Sequence, residues 1–138
     1  MIRIGPAGWS YKDWQGIVYP SPVPRSFHGA EYLAQYFDTI EVNSTFYRSP
    51  TPETSRSWAK RVSANKNFRY TAKLWRGFTH ERNATEADEH ELRAGLDPLM
   101  EAECFGALLL QFPISFKNTP HTRDYLLVLL GHKKSALM

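Results

Sequence analysis

Apolar and polar positions follow two alternating periods along this chain. Residues 2–5, Ile2-Arg3-Ile4-Gly5, read as a short buried strand that Pro6-Ala7-Gly8 ends. A long loop, residues 9–25, follows and is stiffened at its end by Pro20, Pro22 and Pro24. In residues 27–37 the period changes: Ala30, Leu33, Ala34 and Phe37 fall at helical spacing. Residues 39–42, Thr-Ile-Glu-Val, predict a second strand ending at Asn43. Thr51-Pro52-Glu53 then carries the marks of a helix start, with a hydroxyl cap, a proline at the first helical position and an acid on the positive dipole end. Trp58 and Val62 share a face of that helix. Residues 68–74 alternate as a third strand. Asn83 or Thr85 caps a helix bearing Leu92, Leu96 and Leu99, which Pro98 is expected to interrupt, with Asp97-Pro98 opening a short second helix. Residues 107–112 form a strongly apolar fourth strand stopped by Pro113, and Thr119-Pro120 caps a last helix over residues 123–130 before Gly131.

The order is strand–helix repeated four times, with no tight hairpin signal between strands. It predicts an α/β fold with a parallel (βα)4 sheet and right-handed crossovers. No flexible linker or internal repeat divides the chain, so one domain is expected. The 138 residues suffice for a single core, and 42% hydrophobic with 22% charged residues is a globular balance. No apolar run approaches the roughly 20 residues that span a bilayer, and the N-terminus lacks the apolar core of a signal peptide, so no membrane partner is expected. The single cysteine, Cys104, cannot form an internal disulfide and reads as a buried structural thiol; a reducing, cytoplasmic setting is the expectation.

Charge changes the picture locally. The net charge is only +3, but Arg56, Lys60, Arg61, Lys66, Arg69, Lys73 and Arg76 form a run without acids, followed by an acidic stretch from Glu81 to Glu103. Two helices with complementary solvent faces account for this, and so does a basic patch over 56–76 that meets nucleic acid; the modest net charge favours the first.

Ligands of parallel α/β folds bind beyond the C-terminal ends of the strands. Residues two apart on a strand share a face, so Glu41 with Asn43, Thr71 with Lys73, and Leu109 with Gln111 point the same way. Lys73 is open to three readings: an ion pair with Glu41, capture of an anionic substrate, or a Schiff base after desolvation. Glu41 is a candidate general base and His80 a candidate acid/base group. Asn43 either orients a loop or touches a ligand, and Arg48 suits a carboxylate or phosphate. The aromatic loop Trp9-Ser10-Tyr11-Lys12-Asp13-Trp14 could stack on a flat ligand or plug the core, which leaves Trp9 and Tyr11 as ligand-binding candidates alongside Asn43, Arg48, Lys73 and Gln111. The five histidines show no paired metal-ligand spacing, so no metal is expected, and no cofactor can be named. HExxH, GxSxG, the P-loop and GxGxxG are all absent.

Several of these segments together resemble a known family. Gly8-Trp9-Ser10-Tyr11-x-x-Trp14-x-Gly16 with Tyr19-Pro20, then Phe37-Asp38-Thr39-Ile40-Glu41-Val42-Asn43-Ser44-Thr45-Phe46-Tyr47-Arg48, is similar to the YecE-like family, domain of unknown function 72. Phe68-Arg69-Tyr70-Thr71-Ala72-Lys73, Thr79-His80 and Leu108-Leu109-Leu110-Gln111-Phe112-Pro113 match it in order. The resemblance implies a TIM-barrel-like fold of unknown activity and brings no catalytic residues with it. It also implies a domain over residues 1–131 that is only part of a barrel, since a closed one takes about 250 residues. Residues 132–138 do not continue the pattern, so a truncated or frameshifted product is expected. A half barrel exposes two strand edges, so the chain is expected to form a homodimer closing a barrel, to meet a second chain, or to fold poorly. Three functions follow as expectations: an enzyme of unidentified reaction acting on a small polar or anionic molecule at the strand ends and inactive alone, a nucleic-acid-binding module, or a non-functional fragment.

Overall fold

The computed structural model describes residues 2–131. Helix α1 (Gly29–Leu33) precedes strand β1 (Thr39–Val42), helix α2 (Pro52–Val62), strand β2 (Arg69–Lys73), helix α3 (Glu86–Glu101), strand β3 (Phe105–Leu109) and helix α4 (Pro120–Leu129). The strands pair in the order β1-β2-β3 and are all parallel, as the intervening helices require. Thr39 lies opposite Arg69 and Val42 opposite Ala72; a register shift between Tyr70 and Thr71 precedes the pairing of Lys73 with Leu109.

Alternation divides the sheet into two unlike faces. Ile40, Val42, Tyr70 and Ala72 are buried against the helices, where they meet Leu33, Val62, Leu92, Leu96 and Leu99. Thr39, Glu41, Arg69, Thr71 and Lys73 point the other way and are only half-buried. Tyr70 and Phe68 are the largest fully enclosed side chains.

The helices start where their caps place them. The Thr51 hydroxyl accepts from Thr54 N–H at 3.2 Å and Pro52 opens α2. Thr85, rather than Asn83, caps α3 in a reciprocal pair with Asp88. Thr119 caps α4 with Thr122 in the same way, so α4 starts at Pro120.

Several boundaries depart from the sequence pattern. Residues 2–5 do not form the predicted strand. Parallel pairing comes slightly later, at Ala7 against Glu41, where Gly8 N–H donates to Glu41 O at 2.8 Å and Glu41 N–H to Pro6 O at 3.0 Å. The last strand sits two to three residues earlier than the apolar run, at Phe105–Leu109. Pro98 does not break α3, which runs on to Glu101. Pro98 and its neighbours Leu96 and Leu99 are buried, and that packing outweighs one lost helical hydrogen bond. Helix α1 covers only the middle of residues 27–37; beyond it Phe37 N–H still reaches Leu33 O at 2.9 Å in a turn. The expectation of a non-matching tail over residues 132–138 lies outside the described residues.

Helix α3 packs against α2, and its Gly95 meets the chain just before α2. A Cβ on Gly95 would stand 2.0 Å from the carbonyl oxygen of Pro50, just before α2. Gly95→Ala therefore destabilises the protein by about 1–3 kcal/mol through overpacking, although alanine by itself favours a helix by about 1 kcal/mol. Urea unfolding reads the sign; a raised midpoint would mean that the backbone gives way easily here.

Candidate functional site

The strand ends of the half-buried face bring two opposite charges together. Glu41 on β1 lies opposite Thr71, and Lys73 follows two residues later on the same face of β2. Lys73 Nζ stands 3.4 Å from Glu41 Oε1, with the side chains only 22% and 27% exposed. Asn43 follows Glu41 by two residues, at the entrance to a short 3-10 turn, Ser44–Phe46. Its Oδ1 is buried with no hydrogen-bond partner among the described residues. Thr45 anchors this turn by donating to Val42 O at 2.8 Å.

His80 is held by a different group of residues. It lies in a π-helical turn, Gly77–Glu81, closed by Arg82 in the left-handed conformation. Its Nδ1 is 2.9 Å from the buried Thr79 hydroxyl, and its ring meets Phe46 edge-on at 5.0 Å. Arg76 lies over the same Phe46 ring and pairs with Glu81 at 2.8 Å. The indole N–H of Trp75 donates to Tyr47 O at 3.2 Å, so the loops after β1 and β2 are tied together. Sequence reasoning named His80 but missed Thr79, Phe46 and Arg76 as its setting; no period in the sequence connects two loops.

The other candidates are scattered. Trp9 turns its ring toward Trp58, Tyr70 and His28, where it packs on the core. Tyr11 packs on Trp14 at 4.7 Å and donates to Ala7 O. Arg48 and Gln111 are exposed, Gln111 two residues beyond the end of β3.

A trough of about 610 Å³ runs along the half-buried face, lined among others by Ile4, Thr39, Glu41, Arg69, Thr71 and Ala107. It lies toward the strands' N-terminal ends, with Glu41 and Thr71 on its wall, and Lys73 is not part of the lining. Thr39 and Arg69 were legible in principle, since they precede Glu41 and Thr71 by two.

The basic run does not form a uniform patch. Arg56 pairs with Glu53 and Arg61 with Glu31, each at 3.0 Å, while Arg69 donates to the carbonyls of Lys66 and Phe68. The acidic run pairs largely within α3, Arg93 with Glu89 and His90 with Glu86, rather than across to α2. Among the described residues no three His, Cys, Asp or Glu side chains cluster as metal ligands, and no helix is long and apolar enough to cross a membrane.

The profile of the family described as "Protein of unknown function DUF72" matches residues 3–137. The chain belongs to the DUF72 family. It is 26% identical to the UPF0759 protein YunF of Bacillus subtilis over 132 residues, which is 91% of this chain and 45% of YunF. It is 29% identical to the UPF0759 protein YecE of Escherichia coli over 118 residues, 84% of this chain and 39% of YecE. A DUF72 protein of Thermotoga maritima superposes with a TM-score of 0.71 at 27% identity, covering 98% of this chain and 53% of that one. A DUF72 protein of Enterococcus faecalis gives a TM-score of 0.67 at 22% identity, covering 78% and 41%, and shares the fold. The chain thus spans less than half the length of these curated DUF72 relatives.

One titratable group on the helix side has a consequence for stability. Burial holds the His28 imidazole below its ordinary value of 6.5; nearby Arg61 adds to the depression and Glu31 opposes it. A lowered folded value means that the unfolded chain binds the proton first as pH falls. The stability from neutral His28 is complete above about pH 6.5 and is lost below it. The urea midpoint is expected to drop more between pH 7.5 and 5.5 in the native protein than in His28→Phe. Equal drops would show that His28 ionises freely in the fold.

Proposed function

We propose that this DUF72 chain binds a small polar or anionic molecule at the C-terminal ends of its strands. Lys73 is the cationic contact, Glu41 its charge partner and candidate base, and Asn43 a hydrogen-bonding contact. The observation that carries the reading is the half-buried Glu41–Lys73 pair on two neighbouring parallel strands, where α/β folds place their ligands. The orphaned Oδ1 of Asn43, on the next same-face position, is an acceptor and so fits a polar ligand that carries an O–H or N–H donor. If the whole protein is an enzyme, His80 is the second candidate for proton transfer, with its ring set by Thr79 and Phe46. Arg48, Gln111 and Tyr11 are secondary contacts in this reading, whereas Trp9 packs on the core and is left out of it. The buried lone thiol of Cys104 supports a reducing, cytoplasmic setting.

Nucleic-acid binding through residues 56–76 is the weaker alternative, since four of those cations already have acidic partners. The test is an amide chemical-shift titration with inorganic phosphate, with malonate and with a short single-stranded oligonucleotide. Saturable shifts centred on residues 41–43 and 73 with either small anion are the expected result. Shifts with the oligonucleotide alone, strongly salt-dependent and spread over 56–76, would favour the alternative. No shifts with any probe would overturn both readings.

A further inference from the structure

The turn after β2 holds its backbone in two costly conformations. Gly77–Glu81 is wound as a π-helical turn, and Arg82 closes it at φ 54°, in the left-handed region that residues with a side chain seldom adopt. Strain of this kind costs about 1–3 kcal/mol, persists only where the surroundings enforce it, and gathers at binding sites. Here the enforcing contacts come from several elements. Arg76 pairs with Glu81 across the turn, and the Trp75 indole N–H donates to Tyr47 O in the loop after β1. Tyr125 of α4 donates to Phe78 O, and Asn83 N–H to Gly77 O. What these contacts hold in place is the Thr79–His80 pair.

Thr79 is completely buried, and among the described residues its hydroxyl has one hydrogen-bond partner, His80 Nδ1 at 2.9 Å. Either atom can carry the proton of that bond, but the two choices differ in what they strand. With the proton on Nδ1, the hydroxyl hydrogen is buried without an acceptor, which costs about 1–3 kcal/mol. With the hydroxyl donating, Nδ1 accepts and no donor is left over. The second arrangement puts the ring's own proton on Nε2. Phe46 meets the imidazole edge-on at 5.0 Å and limits its tilt, and Nε2 has no protein partner among the described residues.

We propose that Thr79 is a positioning residue: it fixes the neutral His80 imidazole with its proton on Nε2, and that N–H donates to an acceptor oxygen of the ligand. The proposal rests on the strand-end binding reading and adds a ligand feature to it. His80 stands in the loop after β2 and leans on Phe46 in the loop after β1, three residues beyond Asn43, so the ring belongs to the loops that leave the Glu41–Lys73 strand ends. Lys73 supplies charge without a fixed direction, and Nε2–H supplies a neutral donor with a fixed one. Together they suit a carboxylate or phosphate group, whose several oxygens accept from both.

The test is nitrogen-15 spectroscopy of the histidine rings at about pH 8, where an ordinary imidazole is neutral, with and without inorganic phosphate or malonate. His80→Phe identifies the His80 signals by their loss. In the native chain the proton is expected on Nε2, with Nδ1 at the shift of a hydrogen-bonded acceptor, and either anion should move the Nε2 signal more than that of Nδ1. Thr79→Val has nearly the same shape but no hydroxyl; it is expected to give a mixture of the two tautomers and to weaken anion binding about threefold, and His80→Phe to weaken it about fivefold. Thr79→Ser should restore both the tautomer and the binding, which a merely structural role for the hydroxyl does not predict. Circular dichroism confirms that each variant is folded. A native proton on Nδ1, an Nε2 signal that neither anion moves, or native-like binding by Thr79→Val would overturn the proposal. If the amides of residues 41–43 and 73 still respond to the anions, the strand-end reading survives that failure; if neither anion binds, both fall.

Discussion

Tyr70→Ala is expected to lower the stability of the protein by about 3–5 kcal/mol, the loss usual for a large aromatic side chain removed from a core. Tyr70 is completely buried in the central strand β2. Its ring meets Phe68 edge-on at 4.9 Å and lies 6.1 Å from Trp9 and 6.3 Å from Trp58. It thus joins the aromatic loop, α2 and the sheet. A domain of this size holds only about 5–15 kcal/mol in all, so the variant sits near its unfolding threshold. Tyr70→Phe separates ring from hydroxyl. The hydroxyl donates a long bond of 3.3 Å to Trp58 O, and its loss should cost no more than about 0.5–1.5 kcal/mol. Urea unfolding followed by tryptophan fluorescence compares the two. Similar midpoints for Tyr70→Ala and Tyr70→Phe would show that the ring does not organise the core.

The second large effect concerns the charge pair. Lys73→Met is expected to weaken phosphate or malonate binding about thirtyfold, equivalent to one charge-assisted hydrogen bond of about 2 kcal/mol. Glu41→Gln is expected to act in the opposite direction, tightening binding several-fold, because Lys73 is released from its competing partner. Opposite signs mark an anion site, and a purely structural pair gives no such split. Both variants cost some stability. The pair is roughly three-quarters buried, so the cost falls between the near-zero value of surface pairs and the 3–5 kcal/mol of fully buried ones; about 1–2 kcal/mol is expected. Calorimetric titration reads the binding and thermal unfolding the stability. Equal weakening by both variants, or no change in either, would remove Lys73 from the site.

Much of this architecture was legible in the sequence because it rests on local rules. Period-two alternation located β1 and β2 to within a residue, since a strand with one buried face has only one register that hides Ile40, Val42, Tyr70 and Ala72. Side-chain caps placed the start of α2 at Thr51 and narrowed that of α3 to Asn83 or Thr85, since Thr51 and Thr85 satisfy amides within their own first turns. Alternation put Glu41 and Lys73 on one face, but the ion pair was only one of three readings it left open for Lys73. The DUF72 motifs added the family.

What the sequence could not decide depended on groups distant along the chain. Pro98 stays helical because Leu96 and Leu99 are locked into the core, an energy that no local propensity contains. Trp9 faces the core because Trp58 and Tyr70 offer edges for its ring, although its loop position allowed either orientation. His80 joins Phe46 only because the loops after two adjacent strands emerge side by side. The apolar run at residues 107–112 shows the limit most directly. Its composition expressed a need for burial on both faces, and only the tertiary structure showed that its edge and one face are left open by the described residues. Sequence pattern records what a side chain needs from its surroundings, whereas covering it depends on which other surfaces the fold brings there.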